Sequence, residues 1–146
     1  MSEEDQKYGS ESEAVQAHLT ILQQVIQRMA SNSESSKTWC VTLVSAILVI
    51  VVDKGNPNYV WISVIPTILF LILDTYYLAL ERGFRGSYNS FVKKIHTGTV
   101  EISDLFVVIP SGSLLRNFFK SLTSLSIWPF YTVLLAMVYV AKSVIS

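Results

Sequence analysis

Charge is scarce in this sequence and cysteine is nearly absent. Asp, Glu, Lys and Arg make up 15% of the 146 residues, against roughly 25% in an ordinary soluble domain. The 11 basic and 11 acidic side chains cancel, so no net field draws the chain to nucleic acid or to acidic partners. The one cysteine, Cys40, cannot close a disulfide within the chain and lies in an apolar run, so no oxidising compartment is implied. The opening residues, MSEEDQKYGSESE, are acidic and do not read as a secretory signal.

Catalytic patterns are missing as well. His18 and His96 have no cysteine, histidine or carboxylate at metal-ligand spacing, so no metal and no cofactor is expected. Ser111-Gly112-Ser113 lacks the flanking pattern of a nucleophile elbow. There is neither a phosphate-binding loop ending in Lys-Ser/Thr nor a dinucleotide fingerprint. The chain does not read as an enzyme.

What is present is apolar: 51% of residues are hydrophobic and the mean hydropathy is +0.44. Three runs stand out, and they predict an all-α membrane protein with three transmembrane helices. The first, TWCVTLVSAILVIVV, has 15 uncharged residues between Lys37 and Asp53. At 1.5 Å per residue that is about 22 Å, a short span whose flanking lysines can snorkel. The second, starting at Gly55-Asn56-Pro57-Asn58, continues as helix to about Leu80. The turn makes residues 37–80 a helical hairpin, and Pro66 is expected to kink the second arm and free the carbonyl of Ile62. The third lies between Lys120 and Lys142; Pro129 splits it, so the span covers 126–146.

Counting Lys and Arg orients the spans. Residues 1–37 and the segment between spans two and three carry nine, whereas the opposite side has only Lys54 and Lys142. The positive-inside rule then places the N-terminus in the cytoplasm and the C-terminus in the periplasm of a bacterial inner membrane. Trp39 and Trp128 fall at the inner interface, and Tyr59, Trp61 and Tyr139 towards the outer one.

The cytoplasmic parts comprise residues 1–36 and 81–125. Val15, Leu19, Leu22, Ile26 and Met29 recur at heptad spacing behind a Ser10-x-x-Glu13 capping-box pattern. Such a stripe needs a partner. It is either an oligomerisation seam, making the chain a homo-oligomer, or the cover for the chain's own 86–120 segment. SNSESSK, 31–37, reads as a connector or a hydrated continuation of the helix. Thr97-Gly98 suggests a short hairpin. Leu114, Leu115, Phe118, Phe119, Leu122 and Leu125 form the apolar side of an amphipathic helix suited to the membrane interface.

One charge sits where charges are costly. In FLILDTYYLALERGFR, Asp74, Leu78, Glu81 and Arg85 share a helical face. Glu81 and Arg85 are spaced for an i,i+4 pair, forming with Arg82 a cytoplasmic ion pair or gate. Asp74 lies inside the apolar run, and such a residue faces protein or water rather than lipid. Thr38, Thr42 and Ser45 form one polar face of the first span and antiparallel packing offers them as partners. Three readings stay open: hydroxyls that pin the hairpin on Asp74, a pore lined by these residues across an oligomer axis, or Asp74 paired with Arg82 or Arg85.

Taken together, the polar N-terminal helix, KTWCVTLVSAILVIVV, the proline turn, LFLILDTYYLALERGFRGSYN and the late SIWPFY resemble small bacterial transmembrane effectors of anti-phage defence. The Hailong type, paired with a nucleotidyltransferase, is the most similar kind. The resemblance implies a pore-forming, oligomeric ion channel that depolarises the cell, held closed by a nucleotidyltransferase partner or by a nucleotide or nucleic-acid ligand. From a different class, a non-conducting membrane scaffold or assembly subunit would use Asp74 structurally.

Overall fold

The structure, a computed structural model, describes residues 9–145, and among these every regular element is helical. Four α-helices follow in order: α1 (Glu13–Lys54), α2 (Val64–Thr97), α3 (Leu114–Leu122) and α4 (Trp128–Ile145), with 3-10 turns at Pro57–Ser63 and Ile102–Asp104.

α1 is a single helix of 42 residues, about 63 Å long at 1.5 Å per residue. It contains neither glycine nor proline, so nothing interrupts its backbone hydrogen bonds. It therefore passes unbroken through the serine-rich stretch 31–37 and across the division expected at residue 36. Ser36 Oγ satisfies itself on the Asn32 carbonyl at 2.9 Å. The start differs from expectation too: Glu13 is the first helical residue and Ser12 the N-cap, so the Ser10–Glu13 capping box does not form.

Gly55, in the left-handed conformation (φ 61°), ends α1 and donates back to Val51 and Val52. Asn56 Oδ1 then accepts from the Asn58 N–H, with Pro57 opening the 3-10 turn as expected. Because that turn runs to Ser63, Pro66 falls in the first turn of α2, where a missing N–H costs little. The kink expected there has no helix interior to act on. α2 then continues well beyond Leu80, to Thr97, where Gly98 caps it. No strand occurs among the described residues, and the Thr97-Gly98 hairpin is replaced by this helix end.

Two cores result. One gathers Cys40, Val44, Val51, Val60, Ile127, Tyr131, Leu134 and Val138 from α1, the 3-10 turn and α4. The other joins Leu22 and Met29 of α1 to Phe84 of α2, with Val25, Ile26, Tyr88 and Val108 around them. The heptad stripe is thus covered by the chain's own α2 and the segment behind it. Val15, Leu22 and Met29 are buried within one copy, while Leu19 and Ile26 are half-buried.

The outer surface of the first core is apolar. Val49, Ile50, Val52, Ile65, Ile68, Leu69, Ile72, Val133, Met137 and Val140 are all exposed. α1, and α2 with its preceding 3-10 turn, are each long and apolar enough to cross a membrane; α4 is shorter. Lys142 Nζ lies 5.0 Å from the centroid of the Trp61 ring, which fixes the far end of α4 beside the 55–63 turn. Pro129 stands at the second position of α4, as the expected split requires.

Candidate functional site

Asp74 stands where α1, α2 and α4 meet, and it has no exposed surface. Its Oδ2 lies 2.6 Å from the Lys37 ammonium and accepts from the Tyr131 hydroxyl at 3.2 Å. Its other oxygen, Oδ1, accepts a short hydrogen bond from Ser33 Oγ. Lys37 also donates to Ser33 Oγ at 3.4 Å. One carboxylate therefore ties three helices together, and each of its oxygens has a donor. Burying a charge costs several kcal/mol, offset only when the partner charge and further hydrogen bonds are in place; here both are. Lys37, one-fifth exposed, is the least buried of the four side chains.

The partners are not those expected. Thr38 Oγ1 donates to the Glu34 carbonyl at 3.3 Å and Thr42 Oγ1 to the Thr38 carbonyl at 2.9 Å. Both side chains are exposed, and so is Ser45, which lines a shallow apolar groove of about 390 Å³ with Val41, Val44, Phe130, Leu134 and Met137. None of the three reaches Asp74. Rise along the hairpin explains the difference. Seven 3-10 residues at about 2.0 Å and eleven α residues at about 1.5 Å carry Asp74 about 30 Å from the turn. About 20 residues of α1 cover the same distance, which leads from Lys54 to Ser33, not to Thr42 or Ser45.

Arg82 and Arg85 do not pair with Asp74 either. Arg85 Nε bonds Glu81 Oε1 at 2.7 Å, the expected i,i+4 contact, with Arg85 exposed and Glu81 half-buried. Arg82 stays apart from it; its Nη1 is buried without a hydrogen-bond partner among the described residues. Beside Arg85, an open groove of about 460 Å³ runs between α1 and α2, lined by Gln23, Gln27, Tyr88 and Asn89 over Ile26.

Two features escaped the sequence reading. Tyr131 sits in an apolar helix and gave no sign of its role; only the depth of Asp74 could have prompted a search for a hydroxyl on the third span. His18, set aside as a metal ligand, is almost completely buried and accepts the Phe106 N–H at Nδ1 (3.0 Å). Its burial follows from its place on the heptad face, three residues after Val15 and four before Leu22. No family model matches the chain, and no curated protein or solved structure matches it.

Proposed function

We propose that this chain is a membrane-embedded helical scaffold or assembly subunit that holds a two-helix stalk in the cytoplasm, with Asp74 as its structural lock. The observation that carries this reading is the saturation of Asp74 by Lys37, Ser33 and Tyr131 of its own chain, with no surface left for water or ions. A pore-lining carboxylate needs the opposite, an oxygen open to a hydrated path. The exposed apolar belt supports immersion in lipid, because a soluble monomer rarely shows so large a contiguous apolar surface. On this reading Trp39 and Trp128, both exposed, mark the inner interface close to Lys37 and Asp74. Tyr59, Trp61 and Tyr139, also exposed, mark the outer one. α3 turns Leu114, Leu115 and Phe119 outwards, a face suited to the headgroup boundary.

Cys40 is fully buried and is the sole cysteine, so introduced cysteines can be labelled against a quiet background. Asn58→Cys in the outer turn is expected to react with a membrane-impermeant maleimide on intact bacteria. Asn89→Cys on the stalk is expected to react only after permeabilisation. Labelling of both on intact cells would sink the membrane topology.

A second reading keeps the oligomeric channel of anti-phage defence, gated by a nucleotidyltransferase or nucleotide ligand. It draws on the exposed hydroxyl face of Thr38, Thr42 and Ser45 within the apolar belt, which could line a path between copies, and its gating partner rests on the resemblance alone. Membrane potential separates the two. In cells inducing the wild type, with and without the neighbouring genes under phage challenge, the scaffold predicts no depolarisation, and none with Asp74→Asn. Depolarisation abolished by Thr42→Val and Ser45→Val would establish the channel instead.

A further inference from the structure

After α2 ends, the chain returns along the α1–α2 pair and reaches α3 at Leu114. Its attachments divide into two kinds. At the upper end, Ser87 Oγ donates to the Ile109 carbonyl at 2.6 Å, and Ser111 gives both its N–H and its Oγ to the Gly83 carbonyl at 3.0 Å. None of these groups changes charge near neutral pH. At the lower end the contacts are titratable: Lys94 Nζ to Asp104 Oδ1 at 2.6 Å, and the Phe106 N–H to Nδ1 of His18 at 3.0 Å.

The second of these is under strain on one side and sealed on the other. Phe106 has φ 62°, and it is the one non-glycine residue with positive φ among those described. A bulky L-residue adopts that conformation only where its surroundings hold it. His18, 2% exposed, has its ring 4.2 Å from that of Phe91, centroid to centroid, in an edge-on arrangement. Accepting at Nδ1 places the proton of the neutral ring on Nε2. The recess of about 310 Å³ beside it contains two charged side chains, Lys94 and Asp104.

We propose that residues 105–107, between the Asp104 contact and the docked residues 109–111, form a strap latched to the stalk by neutral His18, and that protonation of His18 releases it. An imidazolium has no acceptor at Nδ1, so the Phe106 N–H would face another N–H and the strained backbone would lose the contact that holds it. Residues 109–111 would stay docked, since their bonds do not titrate.

Charge and burial set the sign. Burial pushes the His18 pKa below its ordinary value of 6.5, with Asp104 opposing the shift less strongly. The latched form therefore binds fewer protons than the released form. Latching is at full strength above pH 6.5 and weakens as pH falls below it, by up to about tenfold per pH unit, until the pKa of the latched form is reached. Asp104 behaves differently: its hydrogen bond from Lys94 holds its carboxyl below the usual carboxylate range, so that contact persists through the window in which His18 titrates.

The test is amide hydrogen exchange on the full chain in lipid nanodiscs, at pH 7.5 and 5.5, corrected for the intrinsic pH dependence of exchange. Protection at Phe106 is expected to fall in the wild type, by up to about tenfold, while residues 83–87 hold theirs. His18→Asn offers a carboxamide oxygen in place of Nδ1 and does not titrate, so its protection should be equal at the two pH values. Unchanged wild-type protection, or the same fall in His18→Asn, would overturn the proposal. Should His18→Asn leave Phe106 unprotected at both values, the wild type decides alone. The His18 ring and the Phe106 amide must then titrate by NMR with one midpoint below 6.5, and separate midpoints refute the latch.

Discussion

Lys37→Met is expected to destabilise the chain by about 3–5 kcal/mol, more than any other single change at the helix junction. It leaves Asp74 without its counter-charge or any exposed surface, and with only the hydroxyls of Ser33 and Tyr131 as donors. The reverse change is milder. Asp74→Asn keeps a carbonyl oxygen for one of those hydroxyls, and Lys37, one-fifth exposed, can turn its ammonium to water. A loss of about 1.5–3 kcal/mol follows, the scale of a hydrogen bond to a charged group. The double variant Lys37→Met/Asp74→Asn removes both charges and should recover much of the single-lysine loss, because the two effects share one partner and do not add. Unfolding by SDS titration in bicelles, followed by helix content, measures all three. If Lys37→Met stays within about 0.5 kcal/mol of wild type, a change typical of a neutral surface site, the ion pair is not the lock.

Gly83→Ala is expected to cost up to about 2 kcal/mol net, the balance of two opposed effects. Alanine in a helix interior is favoured over glycine by about 1 kcal/mol. Against that, the new Cβ would stand 2.7 Å from Cβ of Pro110 and 3.4 Å from the Ser111 carbonyl oxygen. Proline cannot rotate away, so the returning segment must shift, and overpacking of this kind costs about 1–3 kcal/mol. Gly86→Ala is the control. Its Cβ would collide with Ser111 Oγ but meet Ser111 Cβ only at 3.4 Å. A hydroxyl can rotate out of the way, giving up its bond to Gly83, and the gain in helix propensity then roughly cancels the loss. Thermal midpoints of the two variants should therefore separate, with Gly83→Ala the lower. Equal midpoints would mean that the close approach of Pro110 to Gly83 is not a packed contact.

How far the sequence could be read varied by element, for physical reasons. The ends of the apolar helices were legible because local chemistry sets them: the Gly55-Asn56-Pro57 turn, Pro129 near the start of α4, and the helical spacing of Leu114, Leu115, Phe118 and Phe119 all work within one helical turn. The unbroken course of α1 through Ser31–Ser36 was not legible. Serine and asparagine have weak helix propensity, and continuity there is gained from tertiary packing that buries Ser33 and Ser36 against neighbouring helices. For the same reason the end of the α2 helix was set too early, at about Leu80 instead of Thr97. The surroundings of Asp74 followed from this. Once Leu80 was taken as the exit and matched to Lys37, the hairpin register slipped by about two turns. That slip exchanged Ser33 and Lys37 for Thr42 and Ser45. The heptad stripe was readable as a buried face, while the identity of its cover was not, because a period of hydrophobic residues carries no label for the chain that buries it.

The continuity of α1 makes it a lever. From Ser33, beside the ion pair, to Glu13 is about 30 Å of helix without a hinge. A tilt of about 10° at the junction would carry the distal end through about 5 Å, given that rise per residue. The reverse also holds: a push on the far end of the stalk is delivered as torque to the carboxylate that joins the three helices. Whatever meets the distal end of α1 is thus mechanically in touch with the junction of the three helices, although it lies far from Asp74.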